Sequence, residues 1–107
     1  MTVQELLAAY ARGERNFRGA DLFKANLSGA NLSAAEFIGA NLGDANLSGA
    51  DLGGAVLEFT DLSGANLRGA NLCRANLEGA NLRRADIRGA NLRDANLSYA
   101  NLYGVIK

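Results

Sequence analysis

A period of five residues constrains this chain more than anything else in it. From Arg15 to Gly104 the sequence reads in fives without a break, 90 residues in 18 units. The centre of each unit runs Phe17, Leu22, Leu27, Leu32, Phe37, then Leu at every fifth residue to Leu82, and finally Ile87, Leu92, Leu97 and Leu102. Ala stands two residues before the centre in 16 of the 18 units, the exceptions being Arg15 and Thr60, and so predicts a position with little room. Asn or Asp stands between them in 16 of 18, broken only by Glu36 and Val56, and so predicts a fixed polar duty. The two residues after the centre vary and carry most of the charge.

Residues two apart in an extended segment point to the same side, so Ala and the central Leu share one face and the Asn or Asp points away. Five is odd, so this alternation cannot run into the next unit. The two variable residues must turn a corner and reset the inward direction. Gly is frequent there, as corners with positive φ require. A helix fails the same test. At 100° per residue a period of five advances about 500°, so the leucines would spiral around the axis and leave no apolar stripe. Recurrent Asn and Gly also disfavour it.

Two spacings predict how the corners close. Gly recurs mainly every ten residues, at Gly19, Gly29, Gly39, Gly49, Gly69, Gly79 and Gly89. Departures from the consensus fall twenty apart, Phe17 with Phe37 and Glu36 with Val56. Both fit a four-sided coil in which opposite corners are alike. Units such as ADLFK, ANLSG and ANLRG, at residues 20–24, 25–29 and 65–69, resemble the A-[DN]-L-x-x pattern of the pentapeptide-repeat family. The resemblance covers 90 of the 107 residues. It implies an all-β solenoid, a right-handed quadrilateral parallel β-helix with Leu and Ala inside and the other three positions outside. At twenty residues per coil this is about 4.5 coils, and at strand spacing a rod about 22 Å long. Asn and Asp, which can bond their own backbone two residues on, are expected to steady each corner rather than hold a ligand.

A stacked coil leaves two raw ends. Residues 1–13 are expected to shield the first as a short capping α-helix. Thr2 and Glu5 have capping-box spacing, Val3, Leu6, Leu7, Tyr10 and Ala11 share a helical face, and Gly13 stops the helix. A partner or membrane helix is the competing reading, against which stands a polar face that is not basic. Residues 14–104 form the β-helix and residues 105–107 a tail.

Much chemistry is excluded. Without His there is no histidine triad or histidine metal site, and the lone Cys73 can form neither an internal disulfide nor a thiolate cluster. No two Gly are spaced G-x-G and no phosphate-binding loop is present. Carboxylates such as Asp44, Asp51, Glu58 and Asp61 fall on a convex surface without an evident cleft. No cofactor, metal or small-molecule substrate is expected, and no catalysis. Eleven basic and eleven acidic residues cancel, so nucleic acid and anionic membrane are not expected partners. No secretory signal and no apolar run of about 20 residues is visible, and the expected location is the cytoplasm.

Function is then expected in the variable positions. Charge segregates along the chain, from −5 over residues 19–65 to +3 over residues 66–95. Arg68, Arg83, Arg84, Arg88 and Arg93 are a candidate docking patch, although like charges such as Arg68 with Arg88 and Glu58 with Glu78 would stack. The last coil holds Leu97, Tyr99, Leu102, Tyr103, Val105 and Ile106, expected either to fold over the end as a plug or to meet another copy in a weak homodimer. The leading expectation is a non-catalytic structural or protein-interaction module whose partner the sequence does not name. Family resemblance supports it, since most such proteins look like scaffolds and are plentiful in cyanobacteria. The alternative is a DNA mimic that binds a type II topoisomerase such as gyrase, as some family members do to confer quinolone resistance. Those rods are longer and strongly acidic, unlike this neutral chain.

Overall fold

The computed structural model describes residues 1–107 and contains one helix, α1, Val3–Ala11. Its capping box is formed: the Thr2 N–H donates to Glu5 Oε1 at 2.8 Å, and the Glu5 N–H donates to Thr2 Oγ1 at 3.1 Å. The bonds from Thr2 hold the Glu5 carboxyl below its ordinary range. Gly13, at φ +97°, ends the helix.

From Asn16 onward the chain coils. Fifteen parallel bridges join residues twenty apart, from Asn16–Glu36 to Asp86–Ile106. Each is a single-residue bridge, so the walls are ladders of short contacts rather than continuous strands. Chain geometry explains this: only three of every five residues are extended before the next corner. The Leu47 N–H donates to the Asn66 carbonyl at 2.8 Å, and the Asn66 N–H donates back to the Ala45 carbonyl at 2.9 Å. The pattern repeats up the rod and places four units, hence four faces, in each coil. We number the faces by their Asn or Asp columns. The first holds residues 16, 36, 56, 76 and 96; the second 21, 41, 61, 81 and 101; the third 26, 46, 66 and 86; the fourth 31, 51, 71 and 91.

Each corner is a four-residue turn. The Ala50 N–H donates to the Leu47 carbonyl at 3.0 Å, with Gly49 at φ +65°. All eighteen corners carry a left-handed residue there, between +52° and +72°, as a type II turn requires. Ten are Gly, and the other eight are Lys24, Ala34, Asp44, Phe59, Arg74, Arg84, Asp94 and Tyr99. A side chain in this region costs about 1 kcal/mol over glycine. All sixteen Asn and Asp side chains that precede a central residue lock the turn by accepting the N–H two residues on, as Asn46 does from Ser48 at 3.1 Å.

The axis is filled by stacked Leu, with Ala lining it. Phe17 stacks on Phe37 with ring centroids 5.6 Å apart, so the departures twenty residues apart pack on one another. Thr60, in an Ala position, is buried, and its hydroxyl donates to the Phe37 carbonyl at 2.7 Å.

α1 covers the first coil, burying Leu6 and Ala9. The sequence placed Leu7 and Ala11 on that face, yet both are exposed. A helix lying flat on a coil end contacts a narrow stripe, and Leu7, some 100° around from Leu6, falls outside it. The Tyr10 hydroxyl donates to the Ser33 carbonyl at 2.8 Å. The Arg15 guanidinium lies 3.6 Å above the Tyr10 ring and donates to the carbonyls of Tyr10 and Glu14. Arg15 therefore replaces Ala at the one unit that must also hold the helix. With α1 included the molecule measures 34 × 23 × 22 Å.

Some corner side chains lie across the glycine one coil later. A Cβ built on Gly79 would meet the Phe59 ring at 2.5 Å, whereas one built on Gly49 meets nothing within 4 Å. Gly49→Ala is expected to cost about 1 kcal/mol through backbone strain alone. Gly79→Ala must also displace the ring and should cost about 2 kcal/mol. Equal denaturant midpoints for the two variants would contradict this packing.

Candidate functional site

The two ends of the coil differ. Opposite α1 the axis opens into a cavity of about 270 Å³ lined by Leu72, Leu77, Leu82, Ile87, Leu92, Leu97, Leu102, Val105 and Lys107. Of the six residues singled out at this end, Leu97, Leu102 and Val105 line the opening. Ile106 instead pairs with Asp86 as the next rung of the third face. Tyr99 and Tyr103 stand outward, 90% and 65% exposed, so they do not plug the axis. The last coil also keeps an open backbone edge: the N–H groups of Leu92, Leu97 and Leu102 and the carbonyls of Ala90, Ala95 and Ala100 have no backbone partner.

The five candidate arginines divide among three faces. Arg68 and Arg88 lie on the third face, Arg83 and Arg84 on the second, and Arg93 on the fourth, as their units' bridges dictate. Arg68 and Arg88 do stack, but Asp86 sits between them. Its Oδ2 receives Arg68 Nε at 2.6 Å and Arg88 Nη2 at 2.7 Å. The hydrogen bonds from Arg88, joined by those from Arg68, push the Asp86 carboxyl far below its ordinary range, and the Arg88 guanidinium is raised in return. On the first face the Asn76 amide donates to Glu58 Oε1 at 2.9 Å, so a neutral donor lies between Glu58 and Glu78. The intervening column thus relieves the like-charge stacking that sequence spacing implied.

Asp86 gives a pH prediction. A carboxyl whose folded pKa is depressed stabilises the fold above its unfolded pKa, about 3.9, and loses that contribution as pH falls through the folded value. Wild-type Tm should therefore fall progressively below about pH 4. Asp86→Asn should melt lower at neutral pH and show a flatter acid limb. A variant whose acid limb matches wild type would remove Asp86 from this role.

Sequence spacing did not reveal the corner side chains. Phe59 is 64% exposed and lies across Gly79, with Tyr99 on the same corner two coils above Phe59. Arg84 lies against Gly104, and the Arg83 guanidinium stands 4.7 Å above the Tyr103 ring. The readable signal was a bulky residue where the unit otherwise takes Gly. Cys73 is a half-buried free thiol on the fourth face. No group of three or more Cys, Asp or Glu side chains converges as a metal site would require. No helix is long and apolar enough to cross a membrane.

An axis filled with Leu, corners locked by Asn and no enclosed polar cleft define a β-helical repeat solenoid. A profile of pentapeptide repeats matches the chain in eight copies, over residues 16–54, 40–79, 50–89 and 75–106. The chain belongs to the pentapeptide-repeat family, which implies a right-handed coil and a generally structural or protein-binding, non-catalytic class of protein. Three solved structures illustrate the likeness. Rfr23 from the cyanobacterium Cyanothece 51142 is 40% identical, with a TM-score of 0.83 over 85% of this chain and 63% of its own. A thylakoid-lumen protein of Arabidopsis thaliana is 29% identical, with a TM-score of 0.83 over 89% of this chain and 67% of its own. The plasmid-mediated fluoroquinolone resistance protein QnrB1 is 31% identical, with a TM-score of 0.67 over 84% of this chain and 51% of its own. This chain thus spans under two thirds of Rfr23 and about half of QnrB1. No curated protein sequence matches it.

Proposed function

We propose that this chain is a non-catalytic protein-interaction module that docks a protein partner on the side of the rod. One observation carries the reading. The repeated positions are consumed by the fold, Leu and Ala in the axis and the sixteen Asn and Asp side chains between them on the backbone. Only the two variable positions of each unit remain to select a partner. The free thiol of Cys73 is compatible with a reducing compartment such as the cytoplasm. Photocrosslinking residues placed in turn on each face test the proposal. Crosslinks to another protein should concentrate on one face, and a uniform or empty result on all four sinks the reading.

The second reading, a topoisomerase-binding DNA mimic, draws support from the likeness to QnrB1. Against it stand the zero net charge and the arginines on the second, third and fourth faces, which leave only a short acidic run, Glu36, Glu58 and Glu78, on the first face. In a gyrase supercoiling assay this protein should not inhibit at low micromolar concentration. Strong inhibition there would reverse the order of the two readings. A separate property, weak self-pairing through the open end, is supported by the apolar cavity and unpaired backbone of the last coil.

A further inference from the structure

We infer that the upper part of the second face docks an extended acidic segment of a partner protein that also carries an aromatic or large apolar side chain. This rests on the interaction-module reading above and names its partner's chemistry.

The corners supply the first observation. Glycine fills ten of the eighteen left-handed positions, so the fold needs nothing else there, and a side chain at such a position is strained. Strained side chains are unevenly distributed. The corner between the third and fourth faces is Gly at 29, 49, 69 and 89. Five of the eight strained residues flank the second face: Phe59 and Tyr99 on one edge, Lys24, Asp44 and Arg84 on the other. The remaining three, Ala34, Arg74 and Asp94, share a corner where Arg74 and Asp94 have opposite signs one coil apart. Side chains held against strain at exposed corners point to a duty outside the fold.

Charge supplies the second. Arg83 and Arg84 are adjacent like charges, and neither has a carboxylate within ion-pair distance, whereas Arg68 and Arg88 share Asp86. A partner's carboxylates would relieve that repulsion, and guanidinium forks suit carboxylate geometry. Asp44 closes the lower end of a polar hollow of about 230 Å³ beneath Arg83 and Arg84. An acidic segment is therefore repelled from the lower rod and steered across the upper coils, toward Phe59 and Tyr99. Exposed Phe, Tyr and Arg are the side chains that anchor protein interfaces. The face is three extended residues wide, about 10 Å, so one extended segment spans both edges with its carboxylate and aromatic side chains two to four residues apart.

A defined probe tests this. Three tandem copies of Glu-Ser-Tyr-Ser, fluorescently labelled, place carboxylate and ring on one side of an extended chain. Anisotropy against the whole 107-residue chain is read at about 0.15 M ionic strength, where generic charge attraction is screened. Wild type should bind this peptide and not the version with Lys for Glu. Arg83→Ser with Arg84→Gly, and separately Phe59→Gly with Tyr99→Gly, should each weaken binding about tenfold. Glycine suits the left-handed corners, so both variants should fold, as melting curves will show. Arg74→Gly with Arg93→Ser removes the same charge from elsewhere and should change affinity by less than about twofold. No binding by wild type, binding of the Lys peptide, or equal loss in the control pair overturns the inference. So does light scattering in which the second-face variants dissociate a dimer, which would give the face to a second copy. Crosslinks from this face to a basic partner would overturn the acidic segment while leaving the interaction-module reading standing.

Discussion

Leu67→Asp should leave the protein without a cooperative melting transition at neutral pH, and Leu47→Asp should do the same. Both side chains are fully buried in the axis between coils above and below. The substitution forfeits about 1.5–3 kcal/mol of apolar burial. It also sets a carboxylate among stacked leucines with no cation or donor in reach, a penalty of several kcal/mol more. A domain of this size has a net stability of only about 5–15 kcal/mol. The loss spreads because each coil is held by its neighbours, so an interrupted column unpairs the ladder on both sides. Ser48, next in sequence to Leu47, points outward and lies one coil from Arg68. Ser48→Asp should change Tm little. Circular-dichroism melts of the three variants decide the matter, and equal tolerance at Leu47 and Ser48 would mean that the register of the repeat is wrong.

That register was legible because three of five positions repeat with fixed chemistry. Leu and Ala two apart set the inward face, and the Asn between them had one evident duty, which the structure gives it. Twenty-residue closure was legible through Phe17 and Phe37, whose rings stack. The surface was harder to read. Sequence order groups Arg68, Arg83, Arg84, Arg88 and Arg93, but a four-sided coil sends successive units to different faces, so proximity in the chain is not proximity in space. Arg68 and Arg88 looked like a repulsive stack because Asp86 belongs to the neighbouring column. Arg15 looked like a lapse in the Ala row, although its guanidinium holds Tyr10. Phe59 passed as an ordinary variable residue and Tyr99 as part of the exposed end, although a bulky residue where the unit otherwise takes Gly marked each as a strained corner.

In light scattering across a concentration series this 107-residue chain should form a weak, reversible dimer through its open end. Each complete face of the last coil presents one unpaired carbonyl and two unpaired N–H groups, such as the Ala95 carbonyl and the N–H groups of Leu97 and Tyr99. Two copies related by a two-fold axis across the rod run antiparallel where they meet. In that arrangement an Ala carbonyl faces a Leu N–H of the second copy, so these groups can pair while the corner N–H groups stay with water. The opposite edge lies under α1, so head-to-tail stacking is blocked and the contact closes at two copies. Pairing also covers the cavity mouth at Leu97, Leu102 and Val105. The end measures about 23 × 22 Å, roughly 500 Å² per copy, below the about 800 Å² of a standard interface, so the dimer should be weak. Leu102→Asp with Val105→Asp places charge at the mouth and should leave a monomer at every concentration. Tyr99→Asp with Tyr103→Asp alters side chains that stand outward and should dimerise nearly as wild type does. A wild type still monomeric at several hundred micromolar would refute end pairing. Loss of the dimer only in the tyrosine variant would place the contact on the side of the rod instead.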